Sequence, residues 1–556
     1  MNQPLSEYPR PQLYRESYIS LNGEWEYAIT KDRTIPKLFD GKIIVPFSPE
    51  TKLSGVNHIL QPDEFLYYKL EFSLPSEFIK DKVILHFTAV DQIAEVYLND
   101  KEVGKHIGGF LPFEFDIKPF LEEKNTLVVR VQDLTDTSYL SRGKQKLKHG
   151  GIWYTPQSGI YMPVWLESVN EKYIEDVKFT PDIDKEEIII NIKSKADEAI
   201  IHIFGMDRPI DCNKDNHVKV KDMRLWSPED PYLYFVRIEI EDYDEVTSYF
   251  AMRKFSTMKD ENGILRLALN NKPLFMKGVL DQGYYKDGLL TPSSYKDYIK
   301  DIELVKSLGF NAIRKHIKIE IPRWYFECDK RGIIVWQDFV NGGTTYSQLV
   351  ITLPLVTNMH RNDHNYKVFG RNNEVGRKEV IQEFKDTINY LYNCPCIGLW
   401  TIFNEGWGQF DSKEIYQEMV KLDPTRIYDH ASGWHDQKVS DVKSLHVYFR
   451  GVRLPREKKR SIILSEFGGL VLPIEGHIIK GNSVYTKFEN KEDYLKAYKK
   501  MIERDVIKNI PKGLSASIYT QLTDVEEETN GFITFDREII KIEPKLIKEI
   551  NDKIHL

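Results

Sequence analysis

Two glutamates stand where a barrel-shaped protein would keep working groups. Glu405 closes an apolar run in LWTIFNEGWGQF (399–410), and Glu466 closes another in ILSEFGG (463–469). A carboxyl group at the end of a buried strand is held on a rigid element, beside the cleft that the strand ends surround. Two such groups facing each other suit cleavage of a glycosidic bond. One carboxylic acid protonates the leaving oxygen, while the other carboxylate attacks the anomeric carbon or activates a water that does so. Their separation decides between retention and inversion, and the sequence leaves it open. A lone strand-end glutamate is ordinarily just a solvated residue. Here Asn404, Trp407 and Trp434 add an amide and two indoles suited to sugar hydroxyls and sugar faces.

The elements that must position this pair follow from the pattern of the chain. Residues 1–170 read as β, with short runs such as VILHFTAV (83–90), AEVYLND (94–100) and NTLVVRV (125–131) broken by turn residues. A jelly-roll sandwich is the natural expectation. Residues 171–257 carry another set of strands, sized for an immunoglobulin-like sandwich without the antibody cysteine pair. From 258 to 556 strands and helices alternate. LFMKGVL, FNAIRKH, IIVWQD, IGLWTIF, RIYDH, SLHVY, SIILSEF and SASIYTQL are eight candidate strands, the rhythm of a (β/α)₈ barrel. The longest interruption, 339–375, follows the third strand and therefore lies on the catalytic face of such a barrel.

Composition narrows the class of function. With 77 Lys and Arg against 84 Asp and Glu the net charge is −7, which disfavours a nucleic-acid or anionic-membrane partner. No 18-residue apolar stretch and no signal-peptide pattern occurs, and four cysteines are too few for a disulfide scaffold. The expectation is a cytoplasmic protein, with the question of a homo-oligomer left open. No P-loop or dinucleotide fingerprint is present, so no cofactor is expected. Cys394-Pro-Cys396 reads as two thiols entering a buried strand, and His360 and His364 lack the glutamate of a zinc motif.

In three blocks the chain resembles glycoside hydrolase family 2, the family of β-galactosidases, β-glucuronidases and β-mannosidases. EVYLNDKEVGKHIGGFLPFEFDI, NTLVVRV and GIWYTPQSGIYMPVWLE are similar to its sugar-binding jelly roll, and LWSPEDPYLY to the end of its central domain. NKPLFMKGV, GFNAIRKH, CDKRGIIVWQD, NEGWGQF, DPTRIYDHASGW, SEFGG and TDVEEETNGFITFD follow the order of its catalytic barrel. The resemblance implies a retaining mechanism, with Glu405 as acid/base and Glu466 as the nucleophile that forms a glycosyl-enzyme. It also implies that Asn404 bonds the sugar 2-hydroxyl, that Arg314 keeps Glu466 ionised, and that Tyr448 touches the nucleophile.

Departures from the family bear on substrate and metal. Many members carry Asn and His after the first barrel strand; here GVLDQGYY (278–285) would turn Asp281 and Gln282 toward the sugar. Where large β-galactosidases have Asp-Glu with a magnesium-binding glutamate, this chain has Gln337-Asp338, so no metal is expected. The Asn-x-Lys pair of β-glucuronidases is not evident. Lys315, His316, Lys318 and Arg323 cluster after the second strand, and His316 is the member expected at the sugar. The resulting expectation is an exo-acting enzyme on a carbohydrate substrate, best a β-galactoside. The alternatives are a β-glucuronidase, an arabinosidase, or an inactive carbohydrate-binding protein.

Overall fold

The computed structural model describes residues 3–357, 359–479 and 485–556. At the N-terminus two antiparallel sheets face one another. One has six strands, in spatial order Gly41–Val45, Gly23–Thr30, Phe65–Phe72, Asn125–Gln132, Ile93–Leu98 and Lys101–Ile107. The other has four: Tyr18–Ser20, Val164–Val169, Lys82–Phe87 and Phe113–Asp116. Strand alternation explains the packing. Leu127, Val129 and Val131 point inward and meet Leu85, Phe87, Val164 and Leu166 from the facing sheet, while Thr126 and Arg130 point outward and are only partly covered.

A second, smaller sandwich follows. Its three-stranded sheet (Ile174–Asp182, Glu187–Ser194, Asn216–Lys219) faces a four-stranded one (Met206–Asp211, Glu198–Ile203, Tyr234–Ile240, Asp244–Phe250) across Ile188, Ile190, Ile192, Ile201 and Ile238. Trp226, in the connection between Asn216–Lys219 and Tyr234–Ile240, is fully buried in the core of the barrel that comes next, and its indole N–H donates to the Asp329 carbonyl at 2.8 Å.

Before the barrel the chain spends Phe255–Pro273 on a small three-stranded antiparallel sheet. Arg266 from this sheet donates to the Leu514 and Ile510 carbonyls at 2.7 and 2.9 Å, which ties it to the N-terminal end of the last barrel strand. The barrel has eight parallel strands: β1 (Met276–Asp281), β2 (Ala312–Lys315), β3 (Ile334–Asp338), β4 (Ile397–Thr401), β5 (Ile427–Asp429), β6 (Val442–Val447), β7 (Ser461–Gly468) and β8 (Leu514–Thr520). The eight candidate strands of the sequence coincide with these eight. Ladders run continuously from β5 through β1 and β8 to β6. The remaining seam is held by Asp441, whose N–H reaches the Tyr428 carbonyl at 3.3 Å and whose carboxylate takes the Tyr428 N–H at 2.8 Å.

Helices cover the barrel where the sequence has a helical apolar period. Tyr295–Ser307 is capped by Ser294 and buries Tyr298, Ile302 and Val305. Pro322–Arg331 starts on proline, the natural first helical residue, and stops at Gly332 in the left-handed conformation (φ 69°). The 339–375 segment holds two one-turn helices, Gln348–Ile351 and Leu353–Val356, and lies on the face where the strands end. No helix among the described residues is long and apolar enough to cross a membrane. Because Trp226 joins the central sandwich to the barrel core, Trp226→Ala should lower equilibrium stability in urea by about 3–5 kcal/mol. A change below 1 kcal/mol would show that the indole anchors nothing.

Candidate active site

The site assembles at the C-terminal ends of the barrel strands, around Arg314 on β2. This guanidinium is fully buried and all five of its N–H groups are used. Nε and one NH₂ donate to the two Asp338 oxygens at 3.0 Å each. The same NH₂ reaches Asn404 Oδ1 at 2.8 Å. The other NH₂ donates to Glu466 Oε1 at 3.1 Å and to the Ser465 carbonyl at 3.2 Å. Asn404 thereby has its carbonyl turned inward, and its Nδ2 has no protein partner.

Glu405 follows Asn404 in a tight turn beyond β4. Its backbone is left-handed (φ 50°), a conformation costing about 1–3 kcal/mol for a residue with a side chain, and one that recurs at working sites. The turn is held by the Glu405 N–H on the Ser432 carbonyl at 2.9 Å and the Trp407 N–H on the Asn404 carbonyl at 2.8 Å. One oxygen of Glu405, one of Glu466 and a ring nitrogen of His446 lie within 4.8 Å of each other. His446, on β6, is hydrogen-bonded to Glu405 through Nδ1 at 2.8 Å, and its Nε2 lies 3.0 Å from Ser432 Oγ and 3.6 Å from Glu466. Tyr448 donates its hydroxyl proton to the second oxygen of Glu466 and lies 3.2 Å from Thr520 Oγ1.

Glu466 is buried and Glu405 half-buried, and their surroundings shift their proton affinities in opposite directions. Burial, with Glu466 close by, raises the proton affinity of Glu405 against the opposing bond from His446. Burial would raise Glu466 too, but attraction from His446 and Arg314 and the Tyr448 hydrogen bond outweigh it and hold this carboxyl well below the ordinary range. His316 Nδ1 lies 2.8 Å from Asp338 Oδ2. Burial pushes it down to about 4, so at neutral pH its Nδ1–H donates to Asp338 and its Nε2 is an acceptor.

A cavity of about 350 Å³ opens over the pair. His316, Glu405, Trp407, Tyr448 and Glu466 line it from the barrel. The sequence did not point to its other walls. Lys144, Gly151 and Trp153 reach in from the N-terminal sandwich, and Glu527 and Glu528 from the segment after β8. Trp153 packs 5.0 Å from Trp407, centroid to centroid. Glu528 accepts from the Tyr154 hydroxyl, Lys144 lies 3.9 Å from Glu528, and Glu527 accepts the Gly151 N–H at 2.9 Å. His446 was also missed, although it sits two residues before Tyr448 and so shares its face of the strand.

Three residues expected at the sugar are not in this cavity's wall: Asn404, whose Nδ2 is buried beside it, Asp281 and Trp434. Asp281 does not line the cavity. One of its oxygens takes the Lys315 ammonium at 2.6 Å and the other the Gly283 N–H at 2.8 Å. Lys315 and Lys318 share Glu320 at 2.9 and 2.7 Å, so this cluster is a buried ion network, and its neighbour Gln282 is the residue that reaches the cavity. Trp434 stands behind His446 (5.5 Å) and lines a second, larger cavity. Arg323 donates to the Tyr8 carbonyl at 2.7 Å, away from the site.

Family models match in order along the chain: the sugar binding domain of glycosyl hydrolases family 2 over residues 56–168, a further family 2 model over 202–253, and the family 2 TIM barrel domain over 261–538. The chain belongs to glycosyl hydrolases family 2. Among curated relatives, a β-galactosidase of Thermoanaerobacter pseudethanolicus is 23% identical over 498 residues, covering 83% of this chain and 62% of the relative. A putative β-glucuronidase of Formosa agariphila is 25% identical over 362 residues, covering 61% of this chain and 39% of the relative. The chain thus spans less than two thirds of the length of either. Solved structures share the fold over nearly the whole chain. A β-D-glucuronidase from Dictyoglomus thermophilum has a TM-score of 0.76 at 20% identity, covering 98% of both chains. A β-galacturonidase from Eisenbergiella tayi has a TM-score of 0.73 at 18% identity, covering 98% of this chain and 99% of that one.

The position where large family members place magnesium ligands is internally satisfied here. Gln337 accepts from the Tyr325 hydroxyl at 2.6 Å and donates to the Lys318 and Asp338 carbonyls at 2.7 and 2.8 Å. Both Asp338 oxygens are taken by Arg314 and His316. A cation there would have to displace a buried guanidinium and would find one carboxylate and one amide, a poor shell for magnesium. Activity should therefore survive exhaustive dialysis against EDTA; a loss restored by magnesium and not by sodium would refute this.

Proposed function

We propose that the protein is an exo-acting, retaining β-glycosidase that works by double displacement. The supporting observation is the short gap between two oppositely tuned carboxyl groups: one oxygen of each lies within 4.8 Å of the other, which favours the roughly 5–5.5 Å arrangement of retaining enzymes over the roughly 6.5–9.5 Å that leaves room for an attacking water. Glu466, ionised and bonded by Arg314 and Tyr448, is placed to attack the anomeric carbon. Glu405, protonated, is placed to donate to the leaving oxygen and then to take a proton from water in the second step. Asn404 Nδ2 is a free donor for the 2-hydroxyl, a bond that strengthens as the ring flattens. His446 bridges the two carboxyls and acts as a positioning residue.

The lining of the cavity supports a neutral glycone. Glu527 and Glu528 join the catalytic pair, and Lys144, the cation among the lining residues, already faces Glu528. Carboxylates accept from sugar hydroxyls and repel a sugar carboxylate, so β-galactosides are the first substrate to try. A β-glucuronidase is the second reading, favoured by Lys144 and by the names of the structural neighbours, and an arabinosidase remains an alternative with a similarly shaped sugar. The intact pair argues against an inactive sugar-binding protein. A panel of chromogenic β- and α-glycosides tests all of these: β-galactoside turnover is the expected result, and release from none of them, with sugar binding intact, would defeat the enzymatic reading.

Residue roles are separable by kinetics. Glu466→Gln should lower turnover of every substrate by roughly three orders of magnitude or more. Glu405→Ala should spare activated aryl leaving groups in the first step and stall in the second. Azide, which needs no deprotonation, should then restore turnover and give the β-glycosyl azide. The pH profile should be bell-shaped, because Glu405 must hold its proton and Glu466 must not. The rate falls as pH rises through the raised pKa of Glu405, and on the acid side falls only as pH drops through the lowered pKa of Glu466. If azide leaves Glu405→Ala unchanged and all leaving groups suffer equally, the acid/base assignment is wrong.

A further inference from the structure

Beside the catalytic cavity lies a larger one of about 950 Å³. The two meet along the chain: Leu355 and Phe449 line the smaller, and their neighbours Pro354 and Arg450 the larger. His446, bonded to Glu405 at 2.8 Å, is in the wall of the larger cavity. A general acid donates to the oxygen that departs, so the departing group lies on the side of Glu405. The larger cavity adjoins Glu405 through His446, whose shorter carboxylate contact is the one to Glu405.

Its charge is opposite to that of the catalytic cavity. Asp436, the acid in its wall, is already neutralised by Arg460 at 2.7 and 2.9 Å and by Lys443 at 2.8 Å. Lys438, Arg450 and Arg453 remain, and their side chains make no hydrogen bond or ion pair with a described residue. Arg450 and Arg453 belong to the β6–β7 connection, where YFRGVRLPREKKR (448–460) carries six basic residues against one Glu in a chain of net charge −7. An ordinary solvated loop would spread such charge over convex surface; here unpaired cations line a concave wall, where they focus a positive potential. Trp434 adds an indole to the same wall, a flat apolar surface of the kind that covers a sugar ring.

We propose that this cavity is a leaving-group subsite for a saccharide that bears acidic groups, carboxylate or sulfate. The proposal rests on the glycosidase reading above. The opposed charges orient the substrate: the acid-lined cavity over Glu405 and Glu466 takes the neutral terminal ring, and the basic cavity takes the acidic remainder of the chain.

The test uses substrates that share glycone and linkage but release a neutral sugar, a uronic acid or a sulfated sugar. At low salt kcat/KM should be about tenfold higher for an acidic leaving sugar, and the advantage should shrink as NaCl screens it. Arg450→Ala/Arg453→Ala should erase the advantage while changing the rate on a 4-nitrophenyl glycoside by less than about twofold. The uronic and sulfated arms tell which acid fits. Equal rates on neutral and acidic substrates at low salt, or a variant that slows every substrate alike, would overturn the subsite. Titration calorimetry with free uronic-acid, sulfated and neutral trisaccharides reads the same cavity without turnover. Binding of an acidic trisaccharide that the double variant loses supports the subsite even if no glycoside is hydrolysed, an outcome that would count against the glycosidase reading instead. Hydrolysis without charge preference in rate or binding counts against the subsite alone.

Discussion

The arrangement depends on one desolvated cation. Arg314 has no contact with water, and a buried guanidinium is tolerable only if its donors are met by anions and carbonyls of fixed geometry. Its five N–H groups reach β3 through Asp338, the end of β4 through Asn404, and β7 through Ser465 and Glu466. Three strands are thus registered to β2 at the height where chemistry occurs. The planar fork matters: it holds Asp338 bidentately with one edge while the other nitrogen points at Glu466, a division that a lysine with a single ammonium could not make. The same bonds decide which glutamate is ionised. Glu466 touches the cation; Glu405 does not.

In the proposed mechanism that asymmetry gives two residues of one type two different roles. Both are deep in the protein, so burial alone would push both toward the neutral acid. The one with Arg314 and Tyr448 is nevertheless held below the ordinary carboxylate range, and its charge helps to raise the proton affinity of its neighbour. His446 stands between them with one nitrogen on each side, and the hydroxyls of Ser432, Ser444 and Ser465 behind it give the ring a polar support inside the barrel. A substituent at Gly433 would run into this ring at 2.7 Å, which accounts for a glycine immediately after Ser432.

Much of this was legible in the residues, and the failures have physical causes. Eight apolar runs separated by helical periods specify a barrel because each strand is buried on both faces and each helix on one. Glutamates that end two of those runs must then face the mouth. Asp281 ends β1 by the same logic, yet Lys315 at the end of the neighbouring strand is its partner, and parting them would leave two buried ammonium groups on Glu320 alone, at a greater cost than a sugar contact gains. Local pattern cannot show such a competition, because the two residues are 34 apart in sequence. His446 is a different case: its i, i+2 relation to Tyr448 was visible, and only the identity of the face was needed.

Trp153, Lys144, Glu527 and Glu528 were out of reach for another reason. They come from segments with no helical or strand period, and their places are set by docking of the N-terminal sandwich on the barrel rather than by local propensity. Tyr154 on Glu528 and the Gly151 N–H on Glu527 tie the two segments together directly over the catalytic pair. Under the proposed mechanism the barrel strands hold the reacting groups, while the remaining cavity walls are borrowed from loops and from another domain, where side chains can change without disturbing the Arg314 network. Such a division explains how relatives at 18–25% identity can keep the fold while carrying different names for the sugar they act on. It also locates the specificity of this chain in residues that a barrel motif, read alone, does not contain.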